Sequence, residues 1–278
     1  MRLKFVLKSE SLPLKIPVNY QHLMLRNIIE YYDPIKENLH LENEIANQEH
    51  LLEYFKYICF SHLHLFKPHF EKGQLVSSKE IVWFYVSSPI DSLIAHLLTL
   101  NLVGNSFEIG GNNFIIDKIS LVNPPPFKRK LIGEALSPLS LCIFLEERHS
   151  PTYLNWNDSY WGYHIKKNLI RKYELLYDKK PDDTYLEFNW DFSRGEPKSR
   201  LITLEKLNEN EFKVRGWMGK FMLKGSKQLL KLAWEWGLGE KNYLGFGMWH
   251  NVAEKPGKWK LEEHHEMVKS KEVETVEY

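Results

Sequence analysis

The sequence predicts an α+β protein built from two tandem ferredoxin-like domains, each an RRM-like βαββαβ unit. Three observations carry that expectation. Strand-type and helix-type patterns alternate as βαββαβ over the first 122 residues, a triple-proline stretch then interrupts the chain, and a second αβ series of similar size follows. A hydrophobic fraction of 43% and an aromatic fraction of 14% over 278 residues supply the side-chain bulk for two packed cores.

Taken in order, Leu3, Phe5 and Leu7 recur at period two, which predicts a half-buried opening strand and is unlike a signal peptide. Ile16 to Tyr20 leads into a helix over 21–32 that Asp33-Pro34 closes, and a second helical segment is expected over about 42–54. Residues 57–65 alternate or run apolar as a strand does, and the aromatic, β-branched run 81–86 predicts another. Pro89 opens a helix through Leu100, and 112–122 returns to β pattern behind the Gly110-Gly111 turn. Pro124, Pro125 and Pro126 continue neither a helix nor an interior strand, so the linker lies there. The expected domains are therefore 1–123 and 128–254, with a charged tail over 255–278. In the second domain β pattern is expected over 131–145, a helix over 158–177, strands over 185–189, 199–207 and 211–222, a helix over 226–236 and a strand over 244–252.

Composition excludes several classes. No apolar run approaches the roughly 18 residues of a membrane span. The only cysteines, Cys59 and Cys142, each sit in an apolar run, which fits buried thiols in a reducing cytoplasm rather than a disulfide or a metal site. No Cys/His/Asp cluster has metal-ligand spacing, since His264-His265 has no partners nearby, and no other cofactor is indicated. A formal net charge of +1 gives no global basic signature, so any nucleic-acid site must be a local patch.

The chemistry-bearing feature is Gly237-Leu238-Gly239-Glu240-Lys241-Asn242-Tyr243-Leu244-Gly245-Phe246-Gly247, two Gly-hydrophobe-Gly triplets separated by five residues. Glycine permits positive φ and close approach of a polyanion, and successive amides bind phosphate oxygens or docked backbone. The plain alternative is a tight helix-to-strand connection, which a doubled motif makes less adequate. A dinucleotide fingerprint is excluded, because that motif follows a strand and opens a helix while this loop does the reverse. Gly237, Gly239, Lys241, Asn242, Gly245 and Gly247 are the candidate polyanion contacts here.

A basic helix face adds Lys166, Lys167, Arg171 and Lys172, interleaved with Tyr160, Trp161, Tyr163 and Tyr173 as base-stacking candidates. Lys128, Arg129 and Lys130 add charge at the linker. Such a run is also what a merely solvated face looks like. His22, His62 and His64 are read as structural.

The glycine-rich loop makes the chain resemble the CRISPR-associated repeat-processing endoribonucleases, the sixth Cas family of the RAMP superfamily. The opening strand, Val18-Asn19-Tyr20-Gln21, Phe60-Ser61, Lys167 to Tyr173 and Val214 to Phe221 are similar as well. The resemblance implies tandem ferredoxin-like domains and metal-independent cleavage of CRISPR precursor RNA to a 2′,3′-cyclic phosphate. It also implies a His after the first helix, a Lys a few residues beyond and a Tyr in that helix. His50 is then the base, with His40 as rival, and Lys56 stabilises the nonbridging oxygens. Tyr31 or Tyr32 orients the scissile phosphate or protonates the leaving group. The alternative is a noncatalytic RNA-binding subunit of a CRISPR effector complex. Expected partners are repeat RNA, effector subunits and a second copy of the chain.

Overall fold

The structure is a computed structural model that describes residues 1–32, 55–143, 151–205 and 211–252. Its first lobe runs β1 (Arg2–Ser9), β2 (Leu14–Pro17), α1 (Gln21–Glu30), β3 (Cys59–Phe60), β4 (His69–Glu71), β5 (Gln74–Ser77), β6 (Ile81–Ser87), α2 (Asp91–Thr99), β7 (Ser106–Ile109) and β8 (Asn112–Leu121). The main sheet has the order β3-β6-β1-β8-β7, with β1 antiparallel to both β6 and β8. Setting aside the added hairpin strand β7, this is the split βαβ arrangement in which the first and third strands of the unit lie centrally. The period-two residues Leu3, Phe5 and Leu7 face inward and meet Phe84, Phe107 and Phe114, with Met24 and Ile28 of α1 and Ile94 and Leu97 of α2 closing the core. β2, β5 and β4 form a separate three-stranded sheet beside it.

After residues 122–129, which carry no regular element, the second lobe runs β9 (Lys130–Ala135), β10 (Cys142–Ile143), β11 (Thr152–Tyr153), α3 (Trp161–Tyr177), β12 (Leu186–Asp191), β13 (Lys198–Glu205), β14 (Glu211–Met218), β15 (Lys220–Gly225), α4 (Lys227–Trp236) and β16 (Trp249–Asn251). Its sheet order, β12-β15-β9-β16, repeats the first lobe's topology, so the protein is a tandem of ferredoxin-like folds. The β13–β14 hairpin is an insertion between the second and third strands of that unit. Ser226 caps α4 by accepting from the Leu229 amide, as a serine ahead of an apolar run is expected to do.

Several expected strands are shorter, each for a local reason. In 57–65 Cys59–Phe60 forms the strand and His64 adds an isolated bridge to Trp83, because between them the His62 amide turns to the Leu136 carbonyl and the Leu63 amide to the Tyr20 hydroxyl. The pattern over 211–222 is split at Gly219, whose carbonyl accepts from the Ala135 amide. The 131–145 pattern ends at Ala135 and resumes as β10, and 244–252 keeps only Trp249–Asn251 because residues 242–244 form a 3-10 turn. The helix expected over 42–54 and the tail over 255–278 lie outside the described residues.

The lobes are tied by buried polar groups. The Arg2 guanidinium donates Nη1–H to the Trp249 carbonyl at 2.7 Å and Nη2–H to the Trp234 carbonyl, and lies 4.0 Å from the Trp234 ring centroid. Ser137 Oγ donates to the Phe60 carbonyl at 3.4 Å.

Candidate functional site

Trp236 ends α4 and the glycine-rich loop begins. All four glycines of its two triplets have positive φ. All four also face an approach that leaves no room for a side chain, Gly247 against the loop's own Leu238 carbonyl and Gly239 and Gly245 against residues outside the loop. A Cβ on Gly239 would overlap the Ser140 carbonyl oxygen, and one on Gly245 would lie 2.6 Å from the Phe60 ring of β3. The loop therefore docks, with one side on the stretch after β9 and the other on the first lobe. Its amides are spent accordingly: Leu238 N–H donates to the Gly247 carbonyl, Glu240 N–H to Ser140, Gly245 N–H to Asn242 and Gly247 N–H to Pro138. Two of these amides bind docked backbone at Ser140 and Pro138, and the other two close the loop on itself.

The same geometry buries two of the residues expected to contact RNA. Lys172 is buried, and its ammonium donates to the carbonyls of Gly237 and Gly239 at 2.9 Å each and to Asn242 Oδ1 at 2.6 Å. All three donors are used inside the protein, so none is left for a phosphate. Burial pulls its pKa down to about 7, opposed by the Cys59 and Glu240 side chains. Asn242 is buried too, and its Nδ2 donates to the carbonyls of Leu238 and Phe246. Lys172 lies on the buried stripe of α3 with Trp161, Ile165, Leu169 and Tyr173, not on the exposed face.

The other cations stay accessible. Lys167 and Arg171 are exposed on α3 and Lys166 half-buried, while Lys128, Arg129 and Lys130 are exposed and Lys241 is half-buried in the loop. Of the stacking candidates, Tyr160 (64%) and Tyr163 (58%) expose their rings at the start of α3, whereas Trp161 and Tyr173 belong to the core. This leaves a basic, aromatic surface on the second lobe.

Of the candidate catalytic residues, Tyr31, Tyr32 and Lys56 are described. Phe55, the residue before Lys56, sets its ring edge-on to Tyr32 at 5.4 Å, so Tyr32 and Phe55, the two described residues that bracket 33–54, are in contact. His40 and His50 belong to that segment and lie outside the described residues. Lys56 is exposed, with Nζ 5.3 Å from the Tyr57 ring centroid. Its carbonyl accepts from Trp236 Nε1 at 2.6 Å, and Tyr57 packs on Trp236 at 4.8 Å. Tyr32 is buried, stacks on His96 at 5.4 Å and donates its hydroxyl to the Leu93 carbonyl at 2.7 Å. The Tyr31 hydroxyl is buried with no hydrogen-bond partner among the described residues, and burial, then the neighbouring Glu30, pushes its pKa up to about 12.

Of the histidines read as structural, His62 meets Gln21 Nε2 at 3.3 Å, and burial, then the Arg200 charge, draws its pKa down to about 4. Among the described residues no three His, Cys, Asp or Glu side chains group as metal ligands, and no helix is long and apolar enough to cross a membrane. Sequence reasoning missed Trp236 and Ser140. Their contacts are with residues far along the chain, so the only local signal is their adjacency to glycine or to a docked loop.

Residues 122–250 match the family described as CRISPR associated protein Cas6, C-terminal. The CRISPR-associated endoribonuclease Cas6 1 of Methanocaldococcus jannaschii is 28% identical over 258 residues, covering 92% of this chain and 94% of the relative. The CRISPR-associated endoribonuclease Cas6 of Pyrococcus furiosus is 24% identical over 88% of this chain and 87% of its own length. A solved structure of a CRISPR associated protein Cas6 superposes with a TM-score of 0.71 at 25% identity, covering 91% of this chain and 99% of that one. A Cas6-related protein from Pyrococcus furiosus shares the fold with a TM-score of 0.77 at 22% identity, over 92% of this chain and 99% of that one. A doubled glycine loop docked between two ferredoxin-like lobes thus sits in a chain whose similarity to Cas6 proteins runs through both lobes, with the Cas6 C-terminal match confined to residues 122–250.

Proposed function

We propose that the protein is a cytoplasmic, metal-independent endoribonuclease that cuts CRISPR precursor RNA within its repeats and releases guide RNA ending in a 2′,3′-cyclic phosphate. The observation that carries the reading is the convergence on Lys56. The peptide of this lysine is fixed by the root of the glycine-rich loop, and its neighbour Phe55 touches Tyr32 at the end of α1. The names of the relatives from Methanocaldococcus jannaschii and Pyrococcus furiosus support the same activity.

In this reading His50, six residues before Lys56, takes the proton of the ribose 2′-hydroxyl. The 2′-oxygen bonds to phosphorus, the bond from phosphorus to the 5′-oxygen breaks, and the departing oxygen takes a proton. Lys56 sets its ammonium against the charge that builds on the nonbridging oxygens. His40 stays the rival base. Of the two tyrosines, Tyr31 is the candidate for orienting the phosphate or supplying the proton, since the hydroxyl of Tyr32 is already engaged by Leu93. Lys128, Arg129, Lys130, Lys166, Lys167 and Arg171 supply the charge that holds the RNA backbone, with Tyr160 and Tyr163 stacking bases.

One observation favours a second reading, a noncatalytic RNA-binding subunit of a CRISPR effector complex: the Tyr31 hydroxyl is buried and that of Tyr32 is engaged by the Leu93 carbonyl, so neither stands open to a substrate in this structure. The deciding experiment incubates the protein, with chelator, with the repeat RNA of its own source and with the same RNA carrying a 2′-deoxy scissile nucleotide. The enzyme reading expects only the ribose substrate to be cut and His50→Ala to abolish cutting while RNA still binds. Binding without cutting of either RNA supports the second reading.

A further inference from the structure

The root of the glycine-rich loop meets the first lobe at Lys56. Trp236 is buried at 3% exposure, donates its indole N–H to the Lys56 carbonyl and lays its ring against Tyr57, the next residue. The Lys172 ammonium lies 5.7 Å from the same indole and ties the two loop carbonyls that follow at Gly237 and Gly239. Lys56 itself is exposed, so the direction of its flexible stem depends on the frame of its backbone. That frame is fixed from within the first lobe by the Ile58 amide, which donates to the Phe55 carbonyl, and by the Phe55 ring on Tyr32. From the second lobe it is fixed by Trp236.

We propose that Trp236 is a positioning residue for Lys56, seated by the Lys172-braced loop, so that the second lobe aims a lysine belonging to the first. The inference rests on the reading of Lys56 as the cation that meets the scissile phosphate. It gives the doubled glycine motif a task that does not require the loop to touch RNA: the loop carries the tryptophan that sets the active-site backbone. A group held at a distance from the reacting atoms acts through geometry, and small displacements there are costly in rate while leaving the binding surface intact.

Trp236→Phe keeps an aromatic ring for Tyr57 and removes the N–H. With the full chain and the repeat RNA, single-turnover cleavage is expected to slow by roughly tenfold while the Kd for RNA stays within about twofold. In a Lys56→Ala background the same substitution is expected to add little, because the lysine it positions is gone. Lys172→Gln, which loosens the loop root without altering the indole, is expected to show the same separation of rate from affinity, and serves if Trp236→Phe fails to fold. Wild-type cleavage with an unaffected Trp236→Phe rate would overturn the positioning role alone, as would an equal slowing with and without Lys56. A wild-type protein inert toward the RNA would overturn the cleavage reading and this inference together.

Discussion

Both lobes must connect their second helix to their last strand, and they do it differently. In the first lobe the chain leaves α2, passes Gly104, adds β7 and turns at Gly110-Gly111 into β8; in the second it leaves α4 and runs through the glycine-rich loop to β16. Gly104 and Gly111 have φ of +91° and +79°, and a Cβ at either would meet nothing within 4 Å. Gly239 and Gly245 have φ of +70° and +82°, but a Cβ there runs into Ser140 or Phe60. Gly110, packed on Pro17, is the first lobe's one close approach within this turn. A glycine of the first kind is required by a turn alone. One of the second kind is required by a turn and by a neighbour's backbone or ring, so it reports docking. That distinction explains why the loop's amides are occupied.

The comparison breaks most severely at Gly239. Alanine there adds left-handed strain and an overlap with a backbone carbonyl that also accepts from the Glu240 amide, so relaxation must move both strands of the contact. Gly239→Ala is expected to cost about 3–5 kcal/mol in chemical denaturation. Next in size is Lys172→Met, which strips three oxygens of their donor and is expected to cost about 2–4 kcal/mol. It also changes the pH dependence. With a folded pKa of about 7 against an ordinary 10.5, the unfolded chain holds the extra proton between those values. This group therefore makes stability rise with pH above about 7 until the unfolded lysine titrates, and fall again as pH drops through 7. Denaturation midpoints measured from pH 6 to 10 should show that rise in the wild type and a flatter profile in Lys172→Met.

The matched control in the first lobe is Gly111→Ala. Its φ is as positive as that of Gly239, yet the added methyl finds open space, so only the backbone cost remains. A loss of about 1 kcal/mol in the same denaturation series is expected, with RNA binding unchanged. A loss as large as that of Gly239→Ala would mean that φ, and not docking, governs both loops.

Much of this architecture was legible in local pattern. Leu3, Phe5 and Leu7 mark β1 because period two survives wherever one face is buried, and Ser226 marks the start of α4 because a hydroxyl satisfies an orphan amide. The site was legible only in part. Glycine spacing identifies a loop with special backbone needs, but it does not say whether a phosphate, a ring or a carbonyl makes the approach. Lys172 was misread for a different reason. Lys166, Lys167 and Arg171 surround it in sequence, yet it follows Leu169 by three positions and so continues the stripe of Trp161, Ile165 and Leu169. Charge counting outweighed periodicity there. Trp236 and Lys56 are separated by 180 residues, and no local pattern reveals that one donates to the other.

The smallest effect on stability is expected at Arg171, and it tests what the docked loop leaves over for RNA. Arg171 and Lys172 are adjacent in sequence but face opposite ways, one exposed and the other with every donor engaged. Arg171→Ala should change stability by no more than about 0.5 kcal/mol, as surface substitutions do. If the guanidinium meets a phosphate, affinity for single-stranded repeat RNA should fall a few-fold, and the slope of log K against log salt should shrink by about 0.7. Lys172→Met should leave that slope unchanged, because its ammonium neutralises no phosphate. An equal loss of slope in both variants would mean that Lys172 reaches the RNA after all, which requires the loop to release all three of its oxygens on binding.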